Sequence, residues 1–112
     1  MSQLTTHILD TSIGKPAEGI AVVLQRELNG DWKKIVEGIT NSDGRISNLL
    51  VSDAYLETGN YRLIFETTSY FSKQNKKTFY PKVTIEFSVT DKSHYHVPLL
   101  LNPFGYSTYR GS

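Results

Sequence analysis

Polar and apolar residues alternate along most of this chain, the signature of strands with one buried face. Val83, Ile85, Phe87 and Val89 alternate with Lys82, Thr84, Glu86, Ser88 and Thr90. Tyr61, Leu63 and Phe65 alternate with Arg62, Ile64 and Glu66, and Ile20, Val22 and Leu24 lie in a third such run. Turn signals separate the runs at Gly14-Lys15-Pro16, Asn29-Gly30-Asp31, Ser42-Asp43-Gly44 and Thr58-Gly59-Asn60. The pattern predicts strands near 3–10, 19–28, 32–39, 45–50, 60–67, 82–90, 94–102 and 105–110. Short strands at this spacing indicate an all-β sandwich or barrel. The segment from Thr67 to Asn75 breaks the rhythm. Its cap-type start and the lysine near its end predict one short helix, stopped before Tyr80-Pro81.

Two strands have an unusual second face. On the strand at 94–102, Tyr95, Val97, Leu99 and Leu101 make a core face, leaving His94, His96, Pro98 and Leu100 on the other. That mixture of imidazole and apolar groups predicts a covering partner, in a chain this short another copy of itself. On the first strand, His7 sits between Thr5 and Leu9, opposite Leu4, Thr6 and Ile8. On the last, Ser107 and Tyr109 share a face against Tyr106, Thr108 and Arg110. If these strands are neighbours, His7, His96, Ser107 and Tyr109 line a single groove.

Composition narrows the function. With 112 residues the chain predicts a single domain spanning 1–112. The absence of cysteine excludes disulfides and thiolate chemistry, and fits a reducing, cytoplasmic location. The first seven residues, Met1 to His7, show no signal-peptide pattern. No stretch approaches the roughly 18 apolar residues of a membrane helix. Twelve basic residues against eleven acidic ones leave a net charge of +1, which gives no reason to expect nucleic acid or an anionic membrane as partner. The basic run Lys73-Gln74-Asn75-Lys76-Lys77 reads as a solvated loop or helix end.

The candidate chemistry rests on the histidines. His94-x-His96 puts two imidazoles on one side of a strand, and with His7 they offer a three-histidine zinc set, although such a pair alone is a weak sign of metal. A metal-free site instead uses one histidine as general base toward water. It then needs a donor for the oxyanion, and Arg45, just after the Asp43-Gly44 turn, is the candidate. By itself that arginine reads more readily as a solvated residue at a hairpin turn. No serine stands in a nucleophile-elbow context.

Longer motifs carry the reading further. Leu4-Thr5-Thr6-His7-Ile8-Leu9-Asp10 followed by Gly14-Lys15-Pro16-Ala17 resembles the first strand and turn of the transthyretin family. Thr40 to Arg45, Tyr80-Pro81 ahead of Val83 to Phe87, and His94 through Ser112 match it in order. The ending Tyr109-Arg110-Gly111-Ser112 resembles the family's 5-hydroxyisourate hydrolase branch rather than the hormone carrier. The resemblance implies a transthyretin-like two-sheet β-sandwich with one short helix. It implies a homotetramer, a dimer of dimers with its sites at the dimer–dimer interface. It implies hydrolysis of 5-hydroxyisourate to 2-oxo-4-hydroxy-4-carboxy-5-ureidoimidazoline, in urate degradation, without metal or other cofactor. The family's site residues then fall on His7, Arg45, His96 and Tyr109-Arg110-Gly111-Ser112. In that reading His7 and His96 activate water, Arg45 holds the oxyanion, and Tyr109, Arg110 and Gly111 border the substrate. Ser112, with the terminal carboxylate, orients an imidazole, and His94 is a bystander. The rivals are a non-catalytic carrier of an aromatic ligand and a zinc-dependent cyclic amide hydrolase using His7, His94 and His96.

Overall fold

The computed structural model describes residues 2–51 and 53–112. Its strands are β1 (Leu4–Asp10), β2 (Lys15–Pro16), β3 (Ala21–Leu28), β4 (Asp31–Ile39), β5 (Gly59–Phe65), β6 (Val83–Val89), β7 (Tyr95–Asn102) and β8 (Gly105–Thr108), with one helix, α1 (Thr67–Ser72). They form two four-stranded sheets ordered β2-β1-β7-β8 and β4-β3-β5-β6, the two-sheet sandwich that the resemblance implies. The alternation sets which side faces inward. Leu4, Ile8, Val97, Leu99 and Leu101 from one sheet meet Val22, Leu24, Leu63, Phe65 and Val83 from the other in a single core. Each fully buried side chain of this kind contributes roughly 1.5–3 kcal/mol relative to exposure.

Two polar groups enter this interior with partners. Asp10 is completely buried; Tyr70 of α1 donates to its Oδ2 at 2.7 Å, and the Ser12 amide to its Oδ1 at 3.0 Å. Burial, and then that bond to Asp10, push the Tyr70 hydroxyl up to about 12. The pair ties the helix to the end of β1.

Three details depart from the sequence pattern. The strand expected at 45–50 does not form. Leu49 and Leu50 are both buried, which consecutive residues of a strand facing one core cannot be, and Asn48 takes a positive φ of 57°. The segment instead turns and drops two leucines onto the core edge. Helix α1 stops at Ser72, because Asn75 enters the left-handed region at φ 56° while the Lys76 amide reaches back to the Phe71 carbonyl. Its two leading threonines do not cap it: Thr67 and Thr68 donate to the carbonyls of Tyr80 and Pro81. Strand β8 ends at Thr108 rather than 110. Pro98 on β7 has no N–H to offer the ladder, and its carbonyl is taken by the Thr108 hydroxyl at 2.7 Å.

Candidate active site on the outer face of the first sheet

Register, not sequence proximity, assembles the site. β1 and β7 run parallel although some ninety residues separate them, with Thr5 opposite His96 and His7 opposite Pro98. On the far side of β7, pairing passes from Leu99–Thr108 to an isolated bridge between His96 and Gly111. Between these pairs the same register sets Tyr109 opposite Pro98. On the near side of β1, Arg45 forms an isolated antiparallel bridge with His7. Paired residues share a face. The outer surface of the sheet therefore carries one row of Arg45, His7, Pro98 and Tyr109, with Thr5, His96 and Gly111 in the next.

The position of Arg45 follows from its turn. Asn41 accepts the amides of Asp43 and Arg45 on its Oδ1 at 2.9 and 3.1 Å, and Gly44 donates to the Asn41 carbonyl at 2.9 Å. Gly44 then approaches β1, where its carbonyl accepts the Ile8 amide at 2.9 Å. Its φ is +73°, and a Cβ there would collide with the Ile8 carbonyl oxygen. Only glycine brings the turn this close, and the closeness sets Arg45 beside His7. A cleft of about 330 Å³ lined by Thr5, Thr6, Asn41, Asp43, Arg45 and Ser47 opens next to them.

Both site imidazoles are half-buried and held below the ordinary histidine value. For His7 the main cause is burial, then the positive charge of Arg45, opposed by a hydrogen bond to the Asp43 backbone and the Asp43 charge. For His96 it is burial, then Arg45, His94 and His7, opposed by a backbone hydrogen bond with Thr5. Protonation is thus delayed to lower pH, and both rings are neutral, base-competent groups at pH 7. Activity that depends on them is expected to be flat at neutral pH and to fall with acidification, with a midpoint below about 6.5. A pH profile of kcat/KM checks this; a midpoint above 7 would contradict it.

The structure separates the other expected site residues. Tyr109 is 60% exposed and available on the histidine face. Gly111 lies directly against His96: its φ is outside the left-handed region, but a Cβ would run into the imidazole ring. The glycine is there to leave room. Gly111→Ala is expected to displace that ring and lower kcat about tenfold or more, leaving the melting temperature nearly unchanged. Unaltered turnover in the folded variant would show that the ring tolerates the methyl. Arg110 departs from the expected grouping. It projects to the opposite side, where its guanidinium stacks 4.3 Å from the Tyr95 ring centre and donates to Ser93 Oγ and the His94 carbonyl, each at 3.2 Å. That side opens on a different cleft, of about 340 Å³, between β6 and β8, which Tyr109 also borders and which no histidine lines. Ser112 is exposed and makes no hydrogen bond to an imidazole among the described residues.

One residue that the sequence pattern did not single out belongs to the site. The Thr5 hydroxyl lies 2.9 Å from His94 Nε2 and 2.8 Å from His96 Nδ1. Alternation had already placed Thr5 on the face of His7, but only the β1–β7 register sets it between two histidines. One nitrogen of each of those rings is thereby engaged. Among the described residues no cluster of three or more histidine, aspartate or glutamate side chains is placed to hold a metal ion.

Comparison with known proteins finds relatives over nearly the whole chain. The HIUase/Transthyretin family profile matches residues 4–111. A 5-hydroxyisourate hydrolase of Salmonella dublin is 46% identical over 110 residues, covering 97% of this chain and 80% of that protein. The structure of Klebsiella pneumoniae 5-hydroxyisourate hydrolase superposes with a TM-score of 0.84 at 41% identity, over 97% of this chain and 98% of that one. Sea bream transthyretin in complex with thyroxine superposes with a TM-score of 0.92 at 31% identity, over 98% and 95% of the two chains.

Proposed function

Because the chain belongs to the HIUase/transthyretin family, we propose that the face carrying Arg45, His7 and His96 is the active site of a 5-hydroxyisourate hydrolase. The chain is an enzyme that opens the cyclic amide of 5-hydroxyisourate with water, giving 2-oxo-4-hydroxy-4-carboxy-5-ureidoimidazoline in urate breakdown. The single observation behind this choice of site is the row from Arg45 through His7 to Tyr109, with His96 beside it on the same face. Backbone similarity does not choose between enzyme and carrier, since a thyroxine-binding transthyretin superposes as well as a hydrolase does. Sequence identity favours the enzyme, at 46% and 41% to the two hydrolases against 31% to the transthyretin.

In the mechanism, His96 removes a proton from water as the oxygen attacks the ring carbonyl, and His7, beside Arg45 across the bridge, orients that water. Arg45 pairs with the developing oxyanion through its planar fork of donors. Tyr109 borders the substrate ring, and Gly111 leaves the space that His96 occupies. Arg110 and Ser112 have no direct part in the step, Arg110 being engaged at Tyr95. No metal or cofactor enters the scheme. The test is urate oxidase coupled to this protein: the absorbance of 5-hydroxyisourate is expected to disappear faster than its spontaneous decay. Decay at the background rate would end the proposal.

The working form is a homotetramer, a dimer of dimers whose dimer–dimer interface closes the site. Thr5, His7, Leu9, His96 and Leu100 are half-buried on the outer face of a single chain, which suits a surface completed by a second copy. β6 and β8 end their two sheets as unpaired edges, and pairing with another copy would satisfy them. Sedimentation is expected to give four times the 12.7 kDa of the chain. A monomer at micromolar concentration would contradict it. No helix among the described residues is long and apolar enough to cross a membrane. A cysteine-free chain of this kind fits work in the cytoplasm.

A further inference from the structure

Thr5 places one oxygen within hydrogen-bond reach of two imidazoles, His94 Nε2 at 2.9 Å and His96 Nδ1 at 2.8 Å. The rings lie 6.3 Å apart and within 18° of parallel. A hydroxyl carries a single proton, so Thr5 can donate to only one of these nitrogens while accepting from the other. The three groups therefore form a chain with a direction. Its far end is fixed as well, because Arg110 holds the His94 carbonyl at 3.2 Å while stacked on Tyr95. His94 has no part in the mechanism above, yet it is joined to the proposed base through one atom.

Resting on the hydrolase reading, we propose that Thr5 is a positioning residue that fixes the tautomer of His96 and relays to His94 the proton that His96 takes from water. In the resting state His96 Nδ1–H donates to Thr5 Oγ1, and Thr5 Oγ1–H donates to His94 Nε2. His96 Nε2 then presents its lone pair to the water. As that water attacks, one of its O–H bonds breaks and a proton joins His96 Nε2, while the oxygen's electron pair forms the new C–O bond. The Nδ1 proton passes to Thr5 oxygen, whose own proton passes to His94 Nε2. The cation that forms is on His94, and His96 is again neutral. When the C–N bond breaks, the three transfers reverse and the proton reaches the leaving nitrogen.

The surrounding charges favour that endpoint. His96 faces His7 from β1 and Arg45 from the 41–45 turn, and a proton kept on His96 would be repelled by Arg45. His94 is one strand repeat further from the Arg45–His7 row. Asp43 lies at the His7 end. At the His94 end the nearby charges are Arg110, on the opposite side of the strand, and Asp91, whose carboxylate is held low chiefly by Ser93 and also feels Arg110.

Thr5→Val keeps the branched shape and removes the hydroxyl; Thr5→Ser keeps the hydroxyl. Nitrogen NMR of the histidine rings in the intact protein is expected to show His96 protonated on Nδ1, with the signature of a hydrogen-bonded Nδ1–H in the wild type that is lost in Thr5→Val. Thr5→Val is expected to lower kcat about tenfold or more with KM within about twofold, and Thr5→Ser to restore most of it. The solvent isotope effect should report several protons in flight in the wild type and a single one in Thr5→Val. Should Thr5→Val fail to fold, His94→Phe keeps a ring but removes the terminal acceptor, and is expected to show the same kinetic losses. His96 protonated on Nε2 in the wild type would overturn the relay whatever the activity. So would a folded Thr5→Val or His94→Phe with wild-type kcat and isotope effect. A wild type that leaves 5-hydroxyisourate decay unaccelerated would refute the hydrolase reading instead, and the ring NMR would still decide the hydrogen-bond chain.

Discussion

Replacing His96 by alanine is expected to lower kcat by roughly 10²- to 10⁴-fold, the range lost when a positioned general base is removed. The ring is half-buried on the outer face of β7, so its loss opens no cavity in the core between the sheets. Stability should change by only about 1 kcal/mol, the scale of the Thr5 hydrogen bond that is lost. Activity and stability are thus expected to separate, and the separation is the diagnostic result. The coupled assay gives the rate, and thermal unfolding monitored by circular dichroism gives the stability. His96→Ala with turnover within twofold of the wild type would remove His96 from the mechanism and leave His7 as the base.

Arg45→Lys should cost an order of magnitude or more in kcat/KM for a different reason. Lysine keeps the positive charge but loses the planar fork that engages an oxyanion or ring oxygens at two points. Loss of one well-placed oxyanion donor typically costs roughly 10²- to 10³-fold, and the retained charge should recover part of that. The same charge continues to oppose protonation of His7 and His96, so the acid limb of the pH profile should move little. A large rate loss with an unshifted pH profile is the expected signature. Near-normal kinetics would mean that Arg45 only tunes the histidines. Loss of folding would instead implicate the Gly44 turn, whose approach to Ile8 holds the segment in place.

The periodic pattern located most elements because strand alternation is a local property. β1, β3, β4 and β7 begin and end within two residues of expectation. The segment at 45–50 misled because Ile46, Leu49 and Leu50 are apolar enough for a strand, yet they serve the core from a turn. Arg110 shows the opposite case. Resemblance grouped it with the site, whereas simple alternation put it on the face away from Tyr109, and there the structure places it. Thr5 escaped notice because threonine on a strand is unremarkable until its neighbour across the ladder is known.

By itself the sequence located every strand except the two-residue β2, their inward faces, the short helix and the set of residues able to do acid–base chemistry, while adding a strand at 45–50 that does not form. All of these depend on residue type and on spacing within a few positions. It also put His7 and His96 on outer faces whose apolar neighbours call for a cover. Which of those faces adjoin was decided only by tertiary structure. The parallel pairing of β1 with β7, the bridges His7–Arg45 and His96–Gly111, and the Thr5 contacts all join residues distant in the chain. A slip of one residue in the β1–β7 register would turn His96 to the face away from Thr5 and His7. That register is fixed by burying Leu4 and Ile8 together with Leu99 and Leu101, so the core that folds the protein also aligns its site.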